Sequence, residues 1–244
     1  MRKILEKILE IVFPKKCLIC SSGSNYLCED CFSLIEIATH YYCPFCEKPS
    51  SFGKTCSSCQ RNHYLDGLIF AADYNQAILQ RVIHSFKYPP YLIELKNSLS
   101  LLIISHFKLS NNKFFENFSD FIFVPVPSHY SKIKKRGFDH TKELTQTLVK
   151  ALKAKYCLDL VTKKRKTVPQ IQLSKEERQS NLLGAFEINK NINFSVKNKN
   201  FLIIDDVFTT GATMDEIAKI LKQNGAKKVW GLCVAREFKT NHSK

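Results

Sequence analysis

The stretch FLIIDDVFTTGATMDEIAKIL, residues 201–221, places two adjacent acids directly before a short polar turn. The turn is followed by a helical pattern, and unpaired N–H groups at the start of a helix bind phosphate well. Asp205 and Asp206 would repel a phosphate, so we expect them to accept hydrogen bonds from the vicinal hydroxyls of a sugar. A sugar phosphate is therefore the predicted ligand. Its phosphate is assigned to the hydroxyl and glycine residues of the turn, which are Thr209, Thr210, Gly211 and Thr213.

A second pattern, four two-cysteine hooks, lies near the start of the chain. The hooks are Cys17/Cys20, Cys28/Cys31, Cys43/Cys46 and Cys56/Cys59. Two hooks supply the four sulfurs that a structural zinc ion takes, so eight cysteines predict two Zn²⁺ ions. Sequential pairing of the hooks is expected, and interleaved pairing stays open. A disulfide scaffold is the rival interpretation, but it needs an oxidising compartment, and we expect the first residues not to be an export signal because Glu6, Lys7 and Glu10 interrupt their apolar run.

Cys157 and Cys233 fall outside this module. Their apolar settings are typical of core residues. The change in composition predicts a boundary near Asp66, with an N-terminal helix and double zinc ribbon in residues 1–65 and a larger domain in 66–244. The amphipathic pattern of the first twelve residues predicts a short helix that packs on the body.

From residue 67 onward, strand-like and helix-like segments alternate. GLIFAADY, FIFVPVP, AFEI, FLIID and KVWGLCVA are predicted strands, separated mostly by amphipathic segments. This alternation predicts an α/β fold, a mostly parallel sheet flanked by helices. The strand FLIID is expected to end at the acids, and Thr213 with Glu216 forms a capping-box pattern for the next helix. Gly225 is expected to end that helix.

The formal net charge of +15 favours a polyanion or a phosphorylated ligand. Lysine-rich runs occur at KIKKR (132–136) and KKRK (163–166). No segment approaches the roughly 18 uninterrupted apolar residues of a membrane span, so the protein is expected not to be transmembrane and to be cytoplasmic.

The motif LIIDDVFTTGAT resembles the ribose-5-phosphate loop of type I phosphoribosyltransferases. VPVPSHYSKIKKRGFDHTKELTQTL and RKTVPQIQLSKEERQSNLLGAFEI are similar to the two other signatures of the ComF/GntX family of competence proteins. With the cysteine module, the resemblance covers nearly the whole chain. It implies a phosphoribosyltransferase-like domain that binds phosphoribosyl pyrophosphate (PRPP) with Mg²⁺. Where the family often has R-G-F-N-Q, this chain has R-G-F-D-H at 136–140, which leaves the role of the last two positions open.

The resemblance also assigns roles to residues. It implies that Asp205 and Asp206 hold the ribose hydroxyls and belong to the catalytic centre together with Arg165. The pyrophosphate contacts it implies are Ser128, His129, Lys135 and Arg136, with Lys87 as a further cation. The second signature matches the mobile catalytic loop, and its polar residues are Arg165, Gln170, Arg178 and Asn181.

The family resemblance implies a PRPP-binding protein of natural competence that handles internalised single-stranded DNA. An inner-membrane DNA-uptake channel or a competence helicase would be further partners, at the inner face of the membrane. Two alternatives stay open. One is a non-catalytic DNA-binding or adaptor protein with a vestigial or sensory PRPP pocket, and the other is a nucleotide-salvage phosphoribosyltransferase.

Overall fold

A five-stranded parallel sheet forms the centre of the structure, a computed structural model that describes residues 14–110, 120–165 and 184–238. The strand order is β1-β7-β6-β2-β3, and a separate antiparallel pair is formed by β4 and β5. The mostly parallel sheet predicted from the sequence is confirmed. The strands are β1 (Gly67–Asp73), β2 (Phe121–Pro125), β3 (Lys155–Tyr156), β4 (Val161–Lys163), β5 (Phe186–Ile188), β6 (Asn200–Phe208) and β7 (Lys228–Arg236).

Helices cover both faces of this sheet, because successive apolar residues of the central strands point to opposite sides. In β6, Leu202 and Ile204 pack in one apolar core, whereas Phe201 and Ile203 pack in the other. The first core also contains α3, α4 and α6, and the second contains α7 and the β4–β5 pair. The helices are α1 (Glu29–Ser33), α2 (Ser57–Gln60), α3 (Ala77–Lys87), α4 (Leu95–Leu109), α5 (Tyr130–Arg136), α6 (His140–Leu152) and α7 (Ala212–Gln223).

The end of β6 differs from the prediction. The strand does not stop at Asp205 but continues to Phe208, because Val207 and Phe208 keep their pairing with Ala235 and Arg236 of the long strand β7. The segment AFEI is a strand as predicted, but it pairs with β4 outside the main sheet.

The start of α7 also differs. Gly211 is its N-cap residue, so Thr213 lies inside the first turn and the predicted capping box is wrong. Asp215, in the same turn, accepts hydrogen bonds from the backbone of Tyr64 and Leu65 instead. The predicted end of the helix is confirmed, since Gly225 follows the C-cap residue with a φ of +87°.

The cysteine-rich region covers the outer edge of β1, which does not pair with β7, and contacts both faces of the sheet. Ile37 pairs with Ala72, and Lys54 pairs with Gly67, in isolated antiparallel bridges. Ile35 is buried in the core that holds α3, α4 and α6, while Phe45 packs against the core that holds α7. An uncovered edge strand would be open to association with other chains, and this arrangement protects it. The boundary between residues 65 and 66 stays a prediction.

Among the helices in the described ranges, none is both long enough and apolar enough to cross a membrane. The predicted N-terminal helix lies outside the described residues.

Ile35→Ala should destabilise the whole chain although Ile35 belongs to the cysteine-rich region. The Ile35 side chain is almost completely buried. Truncation of a buried isoleucine costs about 2–5 kcal/mol. Trp230 in β7 is the only tryptophan, so its fluorescence during urea unfolding reports on the sheet. We expect a lower urea midpoint by this probe.

Leu34→Ala is the matched control, because the neighbouring side chain of Leu34 is 64% exposed. Substitution of such a surface residue changes the free energy of unfolding by about 0.5 kcal/mol at most. An unchanged Trp230 transition in Ile35→Ala would show that the cysteine-rich region unfolds independently.

Candidate functional site

Two acids lie near the carboxyl end of β6, where parallel α/β sheets bind their ligands. Asp206 is only 1% exposed, and its carboxylate contacts the Lys87 ammonium and the His140 imidazole, from two helices. Burial lowers the pKa of His140. Lys87 Nζ, at the end of α3, donates a hydrogen bond of 2.9 Å to Asp206 Oδ1. His140 Nε2, at the start of α6, lies 3.1 Å from Asp206 Oδ2. Asp205 is half-buried, and its Oδ1 accepts a hydrogen bond from the backbone N–H of Asp206.

The two acids differ in their acidity. Burial raises the pKa of Asp205 to about 8, and the neighbouring charge of Asp206 adds to the effect. Burial also acts to raise the pKa of Asp206, but Lys87 and His140 outweigh it and hold that pKa well below the ordinary value. Asp206 therefore stays ionised, whereas Asp205 takes up or releases a proton near neutral pH.

Further cations surround the acids. Lys132 and Arg136 come from α5 and Lys163 from β4, and all three interact electrostatically with the aspartates. Burial and the nearby Lys132 lower the pKa of Lys163 to about 8. Arg136 Nε and Nη1 are buried and have no hydrogen-bond partner within the described ranges. Buried guanidinium nitrogens normally have acceptors, so these two atoms indicate a site for an anion.

The turn between β6 and α7 requires glycine at position 211. Gly211 has a φ of +80°, which other residues adopt only with strain. A Cβ at Gly211 would lie 2.4 Å from Cζ of the Phe208 ring, so only glycine fits against that ring. The hydroxyl of Thr210 lies 3.5 Å from the backbone nitrogen of Ala212. The residues assigned to the 5-phosphate, Thr209 to Thr213, are thus all in this turn or in the first turn of α7.

Of the five residues assigned to pyrophosphate, two lie beside the acids and three have other positions. Lys87 and Arg136 lie beside the acids. Both the N–H and the hydroxyl of Ser128 donate to Asp139, so Ser128 has a structural role here. His129 is the N-cap residue of α5, and Lys135 is exposed on the same helix.

Of the residues assigned to the catalytic loop, the structure describes only Arg165. Arg165 is exposed and lies two residues after the end of β4, where its charge helps to lower the pKa of Lys163. Gln170, Arg178 and Asn181 lie outside the described residues.

Three residues of the site were missed by the sequence analysis: His140, Lys132 and Lys163. The departure from R-G-F-N-Q was the available signal for the first. In the structure Asp139 is the N-cap residue of α6, and this position brings His140 to the ionised Asp206. Lys132 and Lys163 begin the two lysine-rich runs, but nothing in those runs distinguished them from the lysines beside them.

The cysteines form two compact sets of four, grouped in sequence order. Cys17, Cys20, Cys28 and Cys31 make one set, and Cys43, Cys46, Cys56 and Cys59 make the other. The sulfurs of each set lie within 4.8 Å of one another, with 3.6 Å between Cys20 and Cys28 and between Cys46 and Cys56. Four thiolates around a tetrahedral Zn²⁺ are about 3.8 Å apart, so both sets fit structural zinc sites.

Comparisons with known proteins agree with both parts of the chain. The double zinc ribbon domain family matches residues 8–60, and the phosphoribosyl transferase domain family matches residues 133–240. DNA utilization protein YhgH of Escherichia coli strain K12 is 30% identical over 231 residues, 91% of this chain and 98% of that protein. The chain belongs to the ComF/GntX family.

A more distant ComF/GntX relative, Competence protein F of Haemophilus influenzae, is 26% identical over 231 residues and covers the same shares of both chains, 91% and 98%. A solved hypoxanthine phosphoribosyltransferase from Staphylococcus aureus aligns with 61% of this chain and 76% of its own, at 15% identity and a TM-score of 0.35. That similarity is too low to add to the family match.

Asp205→Asn and Asp206→Asn should shift stability in opposite directions. The folded chain keeps a proton on Asp205 up to pH about 8, whereas the unfolded chain releases it near the ordinary pKa of 3.8. The free energy of unfolding of the wild type therefore falls as pH rises between these values. Asp205→Asn removes this loss, and we expect its Tm at pH 9 to exceed that of the wild type by about 2–4 °C or more.

Asp206→Asn removes the ionised partner of Lys87 and His140 and should lower the stability at pH 7. Breaking a fully buried pair costs about 3–5 kcal/mol. The Lys87 side chain is 29% exposed. Solvent therefore screens part of the interaction, and we expect a loss of about 2 kcal/mol.

Thermal unfolding of both variants at pH 5, 7 and 9 checks the pair of predictions. Equal effects of the two substitutions would contradict the assigned charges.

Proposed function

We propose that this protein binds PRPP with Mg²⁺ at the carboxyl end of the sheet and acts in the handling of DNA taken up by the cell. The observation that carries the proposal is the paired acids Asp205 and Asp206, next to a glycine-dependent phosphate turn and surrounded by cations. A ribose that bears a phosphate at one end and a pyrophosphate at the other matches this order of groups.

The three parts of PRPP find different partners. The turn at Gly211 and the first turn of α7 receive the 5-phosphate. Asp205, the more accessible of the two acids, receives the ribose hydroxyls, while Asp206 holds Lys87 and His140 in place. Arg136, with its two unpartnered buried nitrogens among the described residues, and Lys87 receive the pyrophosphate.

The donors present also fit Mg²⁺. This ion prefers oxygen ligands and is usually held by one or two carboxylates together with substrate phosphates. Both oxygens of Asp206 are in contact with side chains, Lys87 and His140, so Asp205 and the oxygens of PRPP would hold the ion. When bound, Mg²⁺ neutralises charge on the pyrophosphate.

The same groups suit a transferase reaction. If pyrophosphate leaves C1 of the ribose, negative charge develops on it beside Lys87 and Arg136, which are preorganised to stabilise that charge. A sensory pocket needs the same binding groups but no acceptor. The buried, ionised Asp206 is compatible with both a transferase and a sensory pocket. A transferase releases pyrophosphate, whereas an adaptor that only binds PRPP does not.

The connection to DNA is supported by the relatives and by the surface of α5. The relatives carry the names DNA utilization protein and Competence protein F. Helix α5 exposes Lys134 and Lys135, and Tyr130 beside them is 72% exposed. Exposed cations with an accessible aromatic ring are typical of surfaces that bind single-stranded nucleic acids. We therefore propose that the protein binds single-stranded DNA. We also propose that it is located in the cytoplasm. An uptake channel, a competence helicase and the inner membrane face rest on the family resemblance alone.

Calorimetric titration of PRPP with Mg²⁺ tests the pocket. At pH 9, where Asp205 is ionised, we expect the wild type to bind and Asp205→Asn to bind about tenfold more weakly or worse, because a hydrogen bond to a charged group contributes about 1.5–3 kcal/mol. Asp159→Asn is the matched control, since Asp159 is an exposed aspartate that pairs with Lys142 away from the acids. Undiminished binding in Asp205→Asn would reject the ribose assignment, and no binding by the wild type would reject the pocket.

The lysines of α5 give a separate test of DNA binding. Lys134→Ala with Lys135→Ala should weaken binding of a single-stranded oligonucleotide, and the slope of log K against log salt should become shallower by about 1.4, roughly 0.7 per phosphate contact. Lys227→Ala with Lys228→Ala is the control, because it removes the same charge at the amino end of β7. Equal losses in the two double variants would mean that binding is unspecific.

A further inference from the structure

The second cysteine set contacts the phosphate turn through one aromatic side chain. Phe45 lies in the short loop between Cys43 and Cys46. Its Cε1 is 3.1 Å from the position that a Cβ on Gly211 would take, and the ring of Phe208 is even closer to that position. Gly211 is therefore enclosed by two rings, one from the cysteine-rich region and one from β6.

Phe45 is in turn held in place by His63. The two rings stack with centroids 3.5 Å apart and an angle of 5° between their planes. His63 Nδ1 lies 2.8 Å from Asp215 Oδ2, and Asp215 belongs to the first turn of α7. The other oxygen of Asp215 accepts hydrogen bonds from the N–H groups of Tyr64 and Leu65. The first turn of α7 is thus held by His63, the same residue that supports Phe45, and by its two neighbours.

The backbone of the loop that carries Phe45 has a second support. Arg236, which is 1% exposed, donates from Nη2 to the carbonyl oxygens of Cys43 and Pro44, at 3.0 and 3.2 Å. Its guanidinium also packs against the ring of Phe208, 5.8 Å from the ring centroid. The loop between Cys43 and Cys46 is therefore fixed to the end of β7 and to the residue that packs on Gly211.

We propose that Phe45 is a positioning residue for the phosphate turn, so that the second zinc site of the double ribbon determines how well the 5-phosphate is bound. This inference rests on the proposed function, since it assigns Phe45 to the 5-phosphate end of the PRPP site. Phe45 does not touch the ligand; it keeps Gly211 and the start of α7 in the conformation that binds phosphate.

The first zinc site offers an internal comparison. Ile19 occupies the same place between Cys17 and Cys20 that Phe45 occupies between Cys43 and Cys46. Ile19 packs against the core of α3, α4 and α6, on the other face of the sheet from α7. The two sites therefore have the same local chemistry but differ in what they support.

Titration of the zinc-loaded full chain with ribose 5-phosphate, pyrophosphate and PRPP tests the inference. Phe45→Ala should weaken the binding of ribose 5-phosphate and of PRPP by about tenfold. This is the loss of affinity expected when one charge-assisted hydrogen bond is misaligned. Pyrophosphate, which binds at the other end near Arg136, should keep its affinity within about twofold. Phe45→Tyr keeps the ring and should restore the affinity, and Ile19→Ala should leave all three affinities unchanged.

Zinc content and Tm are measured on every variant, so that loss of the metal site is recognised. If Phe45→Ala keeps two zinc ions and binds ribose 5-phosphate like the wild type, the inference is wrong and the proposed function stands. Equal weakening of pyrophosphate binding and ribose 5-phosphate binding would also overturn it. Such a result would indicate a general loss of structure and not a local effect at the 5-phosphate end. Failure of the wild type to bind PRPP would instead reject the proposed function.

Discussion

Asp206 is ionised inside the protein, where the ammonium of Lys87 from α3 and the imidazole of His140 from α6 contact its carboxylate. A buried carboxylate without such partners would be strongly destabilising. The pair of contacts therefore fixes where the two helices end and begin relative to β6. It also leaves Asp205 as the acid with a raised pKa, and it brings Lys87 to the proposed pyrophosphate position. The pKa of Asp205, the placement of α3 and α6 and the charge of the pocket thus all depend on the carboxylate of Asp206.

The two ends of the proposed ligand site are supported by different parts of the chain. The cationic end is built from α3, α5 and β4, all within the phosphoribosyl transferase-like body. The phosphate end depends on Gly211, whose surroundings include Phe45 from the cysteine-rich region. That region also covers the edge of β1 and contributes Ile35 to a core of the sheet. It is therefore an integral part of the packing around the site.

Much of this arrangement was predictable, and the exceptions have physical reasons. Continuous apolar strands and the Asp-Asp-turn pattern predicted the sheet and the loop, because both depend on local sequence. The true end of β6 was not predictable, since it depends on pairing with β7. His140 was not predictable either, because its role arises from a contact with Asp206, which lies far along the chain. The contact between Phe45 and Gly211 depends on how the cysteine-rich region lies on the sheet, which spacing alone does not specify.

The position of β7 between β1 and β6 has a consequence for the order of folding during synthesis. The backbone N–H of Asp66 bonds to the carbonyl oxygen of Val229, and the two residues are 163 positions apart. The cysteine hooks can collect their zinc ions as soon as they leave the ribosome, because each set is local. Strand β1 has to wait for β7, and contacts of such long range form slowly. Until then the bridges from Ile37 and Lys54 of the cysteine-rich region can cover only the outer edge of β1, and the edge that will pair with β7 is open.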